Sequence, residues 1–136
     1  MRLFLDANVL FTGAHNPRGK AALVIEVGKS GRWDLVTSVY ATEEARRNLT
    51  AKFPQILGDY EALVSGIHIV GHPPDLPFPT GLAAKDRPIF RAALASSASH
   101  LLTGDIRDFG PFMNRPDQTF GILIQTVAEF LKSVAD

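Results

Sequence analysis

Leu3-Phe4-Leu5-Asp6-Ala7-Asn8-Val9-Leu10 decides how the chain folds. Three large apolar residues stop abruptly at an acid, and a turn-like Asp-Ala-Asn follows. A run that is apolar at every position, rather than at alternate ones, suits a short strand buried on both faces. The pattern recurs downstream. Trp33 to Thr37, Ile67 to Val70, His100 to Thr103 and Gly121 to Ile124 are further strand candidates.

Helical stretches lie between them. Lys20 to Lys29 places Ala21, Leu23, Val24 and Val27 near helical spacing, with Gly31 as a stop. In Val39 to Phe53, Val39, Ala41, Ala45 and Leu49 give an apolar side, and Glu43, Glu44, Arg46 and Arg47 the polar remainder. Gln55 to Ser65 predicts another helix. The alanine-rich Ala83 to Ala98 predicts the clearest one, with Pro88 tolerated only in its first turn. Thr126 to Val134 reads as a last amphipathic helix, and His72 to Gly81 as a proline-rich loop. Strands alternating with helices predict an α/β fold whose central parallel sheet is covered on both faces. The 136 residues, without repeat or low-complexity tract, suit one domain over residues 1–136.

Composition narrows the function classes. The absence of cysteine removes disulfides, thiolate zinc sites and cysteine nucleophiles, and fits a reducing cytoplasm. No apolar run approaches a membrane span, and Met1 to Leu5 is too short for a signal-peptide core. The expectation is a soluble, cytoplasmic protein. Fourteen basic residues balance fourteen acidic ones, a less basic composition than most nucleic-acid binders carry. If four acids converge on a metal ion, the remaining surface is modestly basic.

In open parallel sheets, sites form beyond the carboxyl ends of the strands. Asp6 follows the first strand, and Asp105 follows Leu101-Leu102-Thr103-Gly104. Asp86 stands near the start of the alanine-rich helix, and Glu44 on the helix after the second strand. Each acid alone has an ordinary reading. Asp6 suits a helix N-cap, Asp86 a first helical turn, Asp105 and Asp108 a tight turn, and Glu44 a solvated helix face. Four carboxylates delivered to one sheet edge from four segments form a set that those readings do not explain together.

The set carries a resemblance. Leu3-Phe-Leu-Asp-Ala-Asn-Val-Leu10 resembles the opening strand and Asp-x-Asn turn of PIN-domain ribonucleases. Ser38-Val-Tyr-Ala-Thr-Glu-Glu-Ala-Arg-Arg-Asn-Leu49 is similar to their second motif, Lys85-Asp-Arg-Pro-Ile-Phe-Arg-Ala-Ala-Leu94 to the third, and Leu101-Leu-Thr-Gly-Asp-Ile-Arg-Asp-Phe109 to the fourth. The motifs stand in family order over nearly the whole chain. The resemblance implies a three-layer α/β/α, Rossmann-like PIN fold and a Mg²⁺ or Mn²⁺ cofactor held by Asp6, Glu44, Asp86 and Asp105 as metal-binding, catalytic acids. It implies Asn8, Ser38 and Thr103 as supporting polar residues, Asp108 as an auxiliary acid, and hydrolysis of RNA phosphodiester bonds. Two departures are Ala7, where Thr or Ser is frequent, and the adjacent acids Glu43 and Glu44. Within the family the chain is similar to VapC-like toxins of type II toxin–antitoxin systems, which implies a homodimer and a small antitoxin partner. A housekeeping RNA-processing nuclease is the related alternative.

The residue chemistry agrees. Hard divalent cations prefer carboxylate oxygen, and clustered carboxylates repel one another until a cation neutralises them. Arg18, Lys20, Lys85, Arg87, Arg91 and Arg107 are the basic residues nearest the motif-bearing segments and are expected to contact RNA phosphates. Trp33, Tyr40 and Phe112 are candidates for base stacking. The four histidines are not expected to form a metal site. Two other classes compete. Aspartate-nucleophile phosphatases and phospho-receiver domains want a second Asp where Asn8 stands and a lysine after a late strand, whereas Lys132 falls in the last helix. A non-catalytic RNA- or partner-binding module would be expected to have lost some of the acids.

Overall fold

Leu3, Phe4 and Leu5 are completely buried in β1 (Arg2–Leu5) of the computed structural model, which describes residues 1–135. Four more strands pair with it in parallel: β2 (Asp34–Ser38), β3 (His68–Val70), β4 (His100–Leu102) and β5 (Leu123–Gln125), in the order β3-β2-β1-β4-β5. The central register sets Phe4 beside both Val36 and Leu101. These continuous apolar runs need cover on both sides, and six helices supply it. They are α1 (Ala7–His15), α2 (Lys20–Lys29), α3 (Val39–Lys52), α4 (Leu57–Val64), α5 (Arg87–Ala95) and α6 (Val127–Val134). By the general right-handedness of parallel crossovers, this order carries β1→β2→β3 over one face and the return to β4 over the other, and the architecture is three-layered α/β/α. On the first face α1 packs on α2, α3 and α4, and α6 packs on α2. Among the described residues no helix is long and apolar enough to cross a membrane.

Local chemistry starts these helices where the strands end. Asp6, Ser38 and Thr126 are side-chain N-caps of α1, α3 and α6, and Thr126 with Glu129 completes a reciprocal capping box. Helix α1 occupies a stretch that reads in the sequence as a turn, with Asp6 as its N-cap. Asn8, Thr12 and Gly13 are poor helix formers, and burial of Ala7, Val9, Leu10 and Ala14 against the sheet overrides their preference. The alanine-rich helix is shorter than expected. A 3-10 turn (Ala84–Asp86) precedes α5, Pro88 sits in its first turn, and the helix stops at Ala95 before Ser97 enters the left-handed region. Strand β5 starts later than expected because Phe120 and Gly121 hold φ values of 55° and 88°, incompatible with an extended strand. Two short 3-10 turns, Gly110–Phe112 and Pro116–Gln118, fill the loop before it.

Two of the stacking candidates belong to the core. Trp33 is buried, donates its indole N–H to the Val24 carbonyl at 3.0 Å and meets Phe130 edge-on. Phe112 is buried as well, which leaves Tyr40 at the surface, its hydroxyl donating to the Lys85 carbonyl at 3.2 Å.

Two glycines test this packing with opposite signs. A Cβ on Gly28 of α2 would lie 2.5 Å from Cγ of the buried Leu35, whereas one on Gly58 of α4 meets nothing within 4 Å. Gly28→Ala is expected to cost about 1–3 kcal/mol despite its better helix propensity. Gly58→Ala is expected to gain about 0.5 kcal/mol. Urea denaturation midpoints check both, and two shifts of the same sign would contradict the packing.

Candidate metal centre

The sheet order reverses between β1 and β4, so the crevice for a ligand opens beyond their carboxyl ends. Leu5 pairs with Leu102 there, and the next residues are Asp6 and Thr103. The Asp6 amide donates to the Leu102 carbonyl at 3.1 Å, fixing the Asp6 carboxyl beside the neighbouring strand. The Thr103 hydroxyl donates to Asp6 Oδ2 at 2.8 Å and accepts from the Asp105 amide at 3.0 Å and from Asn8 Nδ2 at 3.3 Å. Asn8 Nδ2 also reaches Asp6 Oδ2 at 3.2 Å, and its Oδ1 accepts from the Gly104 amide at 2.6 Å. Asp6 Oδ1 accepts from the Ala7 amide at 2.7 Å, so the capping role expected of this acid and its place in the crevice are one geometry. Burial pushes the Asp6 carboxyl up to about 6. Its bonds from Thr103 and Ala7 oppose that rise, and the negative charges of Glu44 and Asp86 add to it.

Ser38 accepts from the Ala41 amide at 3.1 Å and so starts the helix that carries Glu44. The neighbouring acids part company on that helix. Glu43 is exposed and pairs with Arg46 at 2.7 Å, and Arg46 also holds Glu61 at 2.9 Å. Glu44 is half-buried and turns towards Asp6, whose ionisation it opposes.

The tightest cluster comes from the other segments. Asp86 ends the 3-10 turn before α5, and Asp105 and Asp108 lie in the loop after β4. Their carboxylate oxygens lie within 4.8 Å of one another. The Lys85 ammonium stands among them, 3.1 Å from both oxygens of Asp86, 3.2 Å from Asp105 and 2.8 Å from Asp108. Burial disfavours the Lys85 charge, but its bonds to the three carboxylates outweigh that and hold its pKa above the ordinary lysine range. Burial likewise pushes Asp105 up, yet bonds from the Asp108 amide and Lys85 leave it below the usual carboxylate range. For the buried Asp86, desolvation exceeds the help from Lys85, and its pKa rises.

Three carboxylates around one ammonium leave excess negative charge at a position that already favours a cation. Hard, all-oxygen donors at this spacing can coordinate a divalent metal ion. Asp108, expected only as an auxiliary acid, belongs to this trio. Asp6 and Glu44 stand outside it, although Asp6 senses the charges of both Glu44 and Asp86. The Asp105-x-x-Asp108 spacing was the sequence signal for the third acid. Lys85 carried no such signal, because adjacency to Asp86 does not reveal that its ammonium would reach three carboxylates.

The structure separates the expected RNA-contacting bases. Arg87 donates to the Leu82 carbonyl at 3.0 Å and lies 4.5 Å from the Phe78 ring centroid. Arg91 donates to the Leu76 carbonyl at 2.6 Å, pairs with Asp75 at 2.9 Å and lies 4.8 Å from the same ring. Both guanidinium groups therefore pin the proline-rich loop. Arg18, Lys20 and Arg107 are exposed. Lys20 lines a cleft with Asn8, Thr103 and Gly104 on the α2 side of the acids.

No protein-family model matches this sequence, and no curated protein matches it. Solved structures do match in fold. A chain of VapBC2 from Rickettsia felis, crystallised with a DNA fragment from their promoter, superposes with a TM-score of 0.65 at 14% identity, over 93% of this chain and 98% of that one. A chain of DNA-bound VapBC from Salmonella typhimurium gives the same values. VapBC-1 from nontypeable Haemophilus influenzae gives a TM-score of 0.57 at 16% identity, over 94% and 99%. The likeness is one of fold and spans both chains almost end to end.

The unequal acids predict unequal responses to neutralisation. Asp6 binds its proton more tightly folded than unfolded, so its ionisation opposes folding above about pH 6 and has no effect below about pH 4. Asp6→Asn is expected to raise the melting temperature in EDTA at pH 7.5, with the gain disappearing by pH 4. Asp105 has a depressed pKa, so its charge stabilises the fold above the ordinary carboxylate range and that contribution fades as pH falls. Asp105→Asn is expected to lower the melting temperature at pH 7.5. Calorimetry at both pH values checks the pair, and equal shifts would contradict the assignment.

Proposed function

We propose that this protein is a metal-dependent endoribonuclease and the toxin component of a toxin–antitoxin pair. The observation that carries the reading is the cluster of Asp86, Asp105 and Asp108 after β4 and before α5, with Asp6 at the end of β1 close enough to feel the charges of Glu44 and Asp86. The near end-to-end likeness of fold to chains of VapBC structures supports the toxin reading, and the antitoxin partner and the homodimer are what the resemblance of the sequence motifs implies.

In this reading Asp86 and Asp105 would hold Mg²⁺ or Mn²⁺ together with Asp6 and Glu44, with Asp108 as a further acid at the same site. When bound, such an ion would supply Lewis-acid charge to the phosphodiester and would make a water more acidic. Hydrolysis would join a water oxygen to phosphorus with release of a proton to solvent, break the phosphorus–oxygen bond to the neighbouring nucleotide, and return a proton from solvent to the leaving oxygen. Thr103 and Asn8 hold Asp6 in one orientation through their bonds to its Oδ2. Arg18, Lys20, Lys85 and Arg107 hold phosphates along the crevice. Lys85 has two opposed effects. Its ammonium competes with the metal for Asp86, Asp105 and Asp108, and once displaced it remains tethered at the rim as a phosphate contact.

The test is cleavage of a mixed structured and single-stranded RNA pool in Mg²⁺, Mn²⁺ or EDTA. Wild type is expected to cut only with metal, and Asp6→Asn and Asp86→Asn are expected to be folded and inactive. A folded wild type that neither cuts RNA nor binds divalent ions would sink the proposal. Lys85→Met is expected to bind Mn²⁺ several-fold more tightly, by electron paramagnetic resonance titration, while cutting RNA more slowly. Weaker Mn²⁺ binding in that variant would show that Lys85 does not compete for the carboxylates.

A further inference from the structure

A second cleft leaves the acids on the other side of α1, between α1 and α3. It is lined by Asn8, Phe11, Thr12, Glu44, Asn48 and Lys52. The lining follows helical periodicity. Asn8, Phe11 and Thr12 form one stripe of α1, and Glu44, Asn48 and Lys52 recur every fourth residue on α3. Eight residues of helix make the α3 stripe about 12 Å long. Its near end shares Asn8 and Glu44 with the acidic crevice. At its far end the Lys52 ammonium lies 5.8 Å from the Phe11 ring centroid. Phe11 is braced by His15 at 5.9 Å and Phe53 at 6.0 Å, and those two rings stack on each other at 4.1 Å. Elsewhere on α3, Glu43 and Arg46 are tied up in ion pairs, whereas Asn48 and Lys52 carry none among the described residues.

An acid-bearing end, a braced aromatic face, an amide and an ammonium therefore follow one another along a single groove. We propose that this cleft is a nucleotide subsite that holds single-stranded RNA flanking the scissile bond. The inference rests on the ribonuclease reading and gives its substrate a form and a direction. The base stacks on Phe11, as exposed bases do on aromatic side chains. The Asn48 amide, both donor and acceptor, meets the base edge, and Lys52 exchanges its contact with the ring for a phosphate. A paired base is already stacked within its helix, so the subsite selects single strands over duplex.

The experiment uses the full chain in EDTA, where RNA binds without being cut. A 4-thiouridine-substituted oligouridine is photo-crosslinked and the adduct mapped by mass spectrometry, and fluorescence anisotropy reads the affinity of the same oligonucleotide. The expected adduct falls on Phe11 or His15. Lys52→Glu and Phe11→Leu are each expected to weaken binding about tenfold, with the Mn²⁺ affinity of the wild type retained. Lys52 is exposed, so its variant keeps the test valid even where Phe11→Leu disturbs packing. Adducts confined to the Lys20 side of α1, with unchanged affinity in Lys52→Glu and intact metal-dependent cleavage, would overturn the subsite and leave the ribonuclease reading standing. A cleft whose hydrogen exchange is unaffected by bound RNA would overturn the proposal as well. Wild type that neither binds nor cuts RNA would remove both readings together.

Discussion

The Thr103 hydroxyl bonds to the Asp6 carboxylate, the Asp105 amide and the Asn8 side chain, where the central strands β1 and β4 end. One donated and two accepted bonds use its full capacity in a residue with no solvent exposure. The arrangement couples fold to site. Parallel pairing of Leu5 with Leu102 sets Asp6 beside Thr103, and the hydroxyl then fixes both the carboxyl before α1 and the amide that begins the second acidic loop. Without it, a buried carboxylate would lose its strongest side-chain donor, and an unpaired group of that kind is costly in a low-dielectric interior.

From this point outward the acids divide by environment. Asp6 and Asp86 are buried, and their charged forms are disfavoured. Asp105 is more exposed and supported by backbone amides and Lys85, and its charged form is favoured. A crevice with this imbalance attracts a cation, because added positive charge relieves the groups that burial has penalised. Lys85 answers part of that demand with a single charge on a flexible stem. A divalent ion answers more of it in less space.

Much of this was legible in the sequence. Strands apolar at every position announced a buried parallel sheet, and acids directly after them marked its ligand-binding edge. Fold class, Asp6, Glu44, Asp86 and Asp105 followed from those patterns and from the family resemblance. What escaped depended on burial and on long side chains. Helix α1 forms because the sheet needs cover, against the local preferences of Asn8, Thr12 and Gly13. The ion pairs that draw Glu43 outward run through Arg46 to Glu61 on α4, a partner that the sequence of α3 does not reveal. Arg87 and Arg91 look like free surface cations until Phe78 is seen against both guanidinium groups.

The central claim is that these carboxylates form one divalent metal centre. Crystals grown with Mn²⁺ and measured for anomalous scattering test it most directly. The account predicts a peak among Asp6, Asp86 and Asp105, with the Lys85 ammonium withdrawn from the cluster. A crystal saturated with Mn²⁺ that shows no peak there, with Lys85 still bound to Asp86, Asp105 and Asp108, would contradict it.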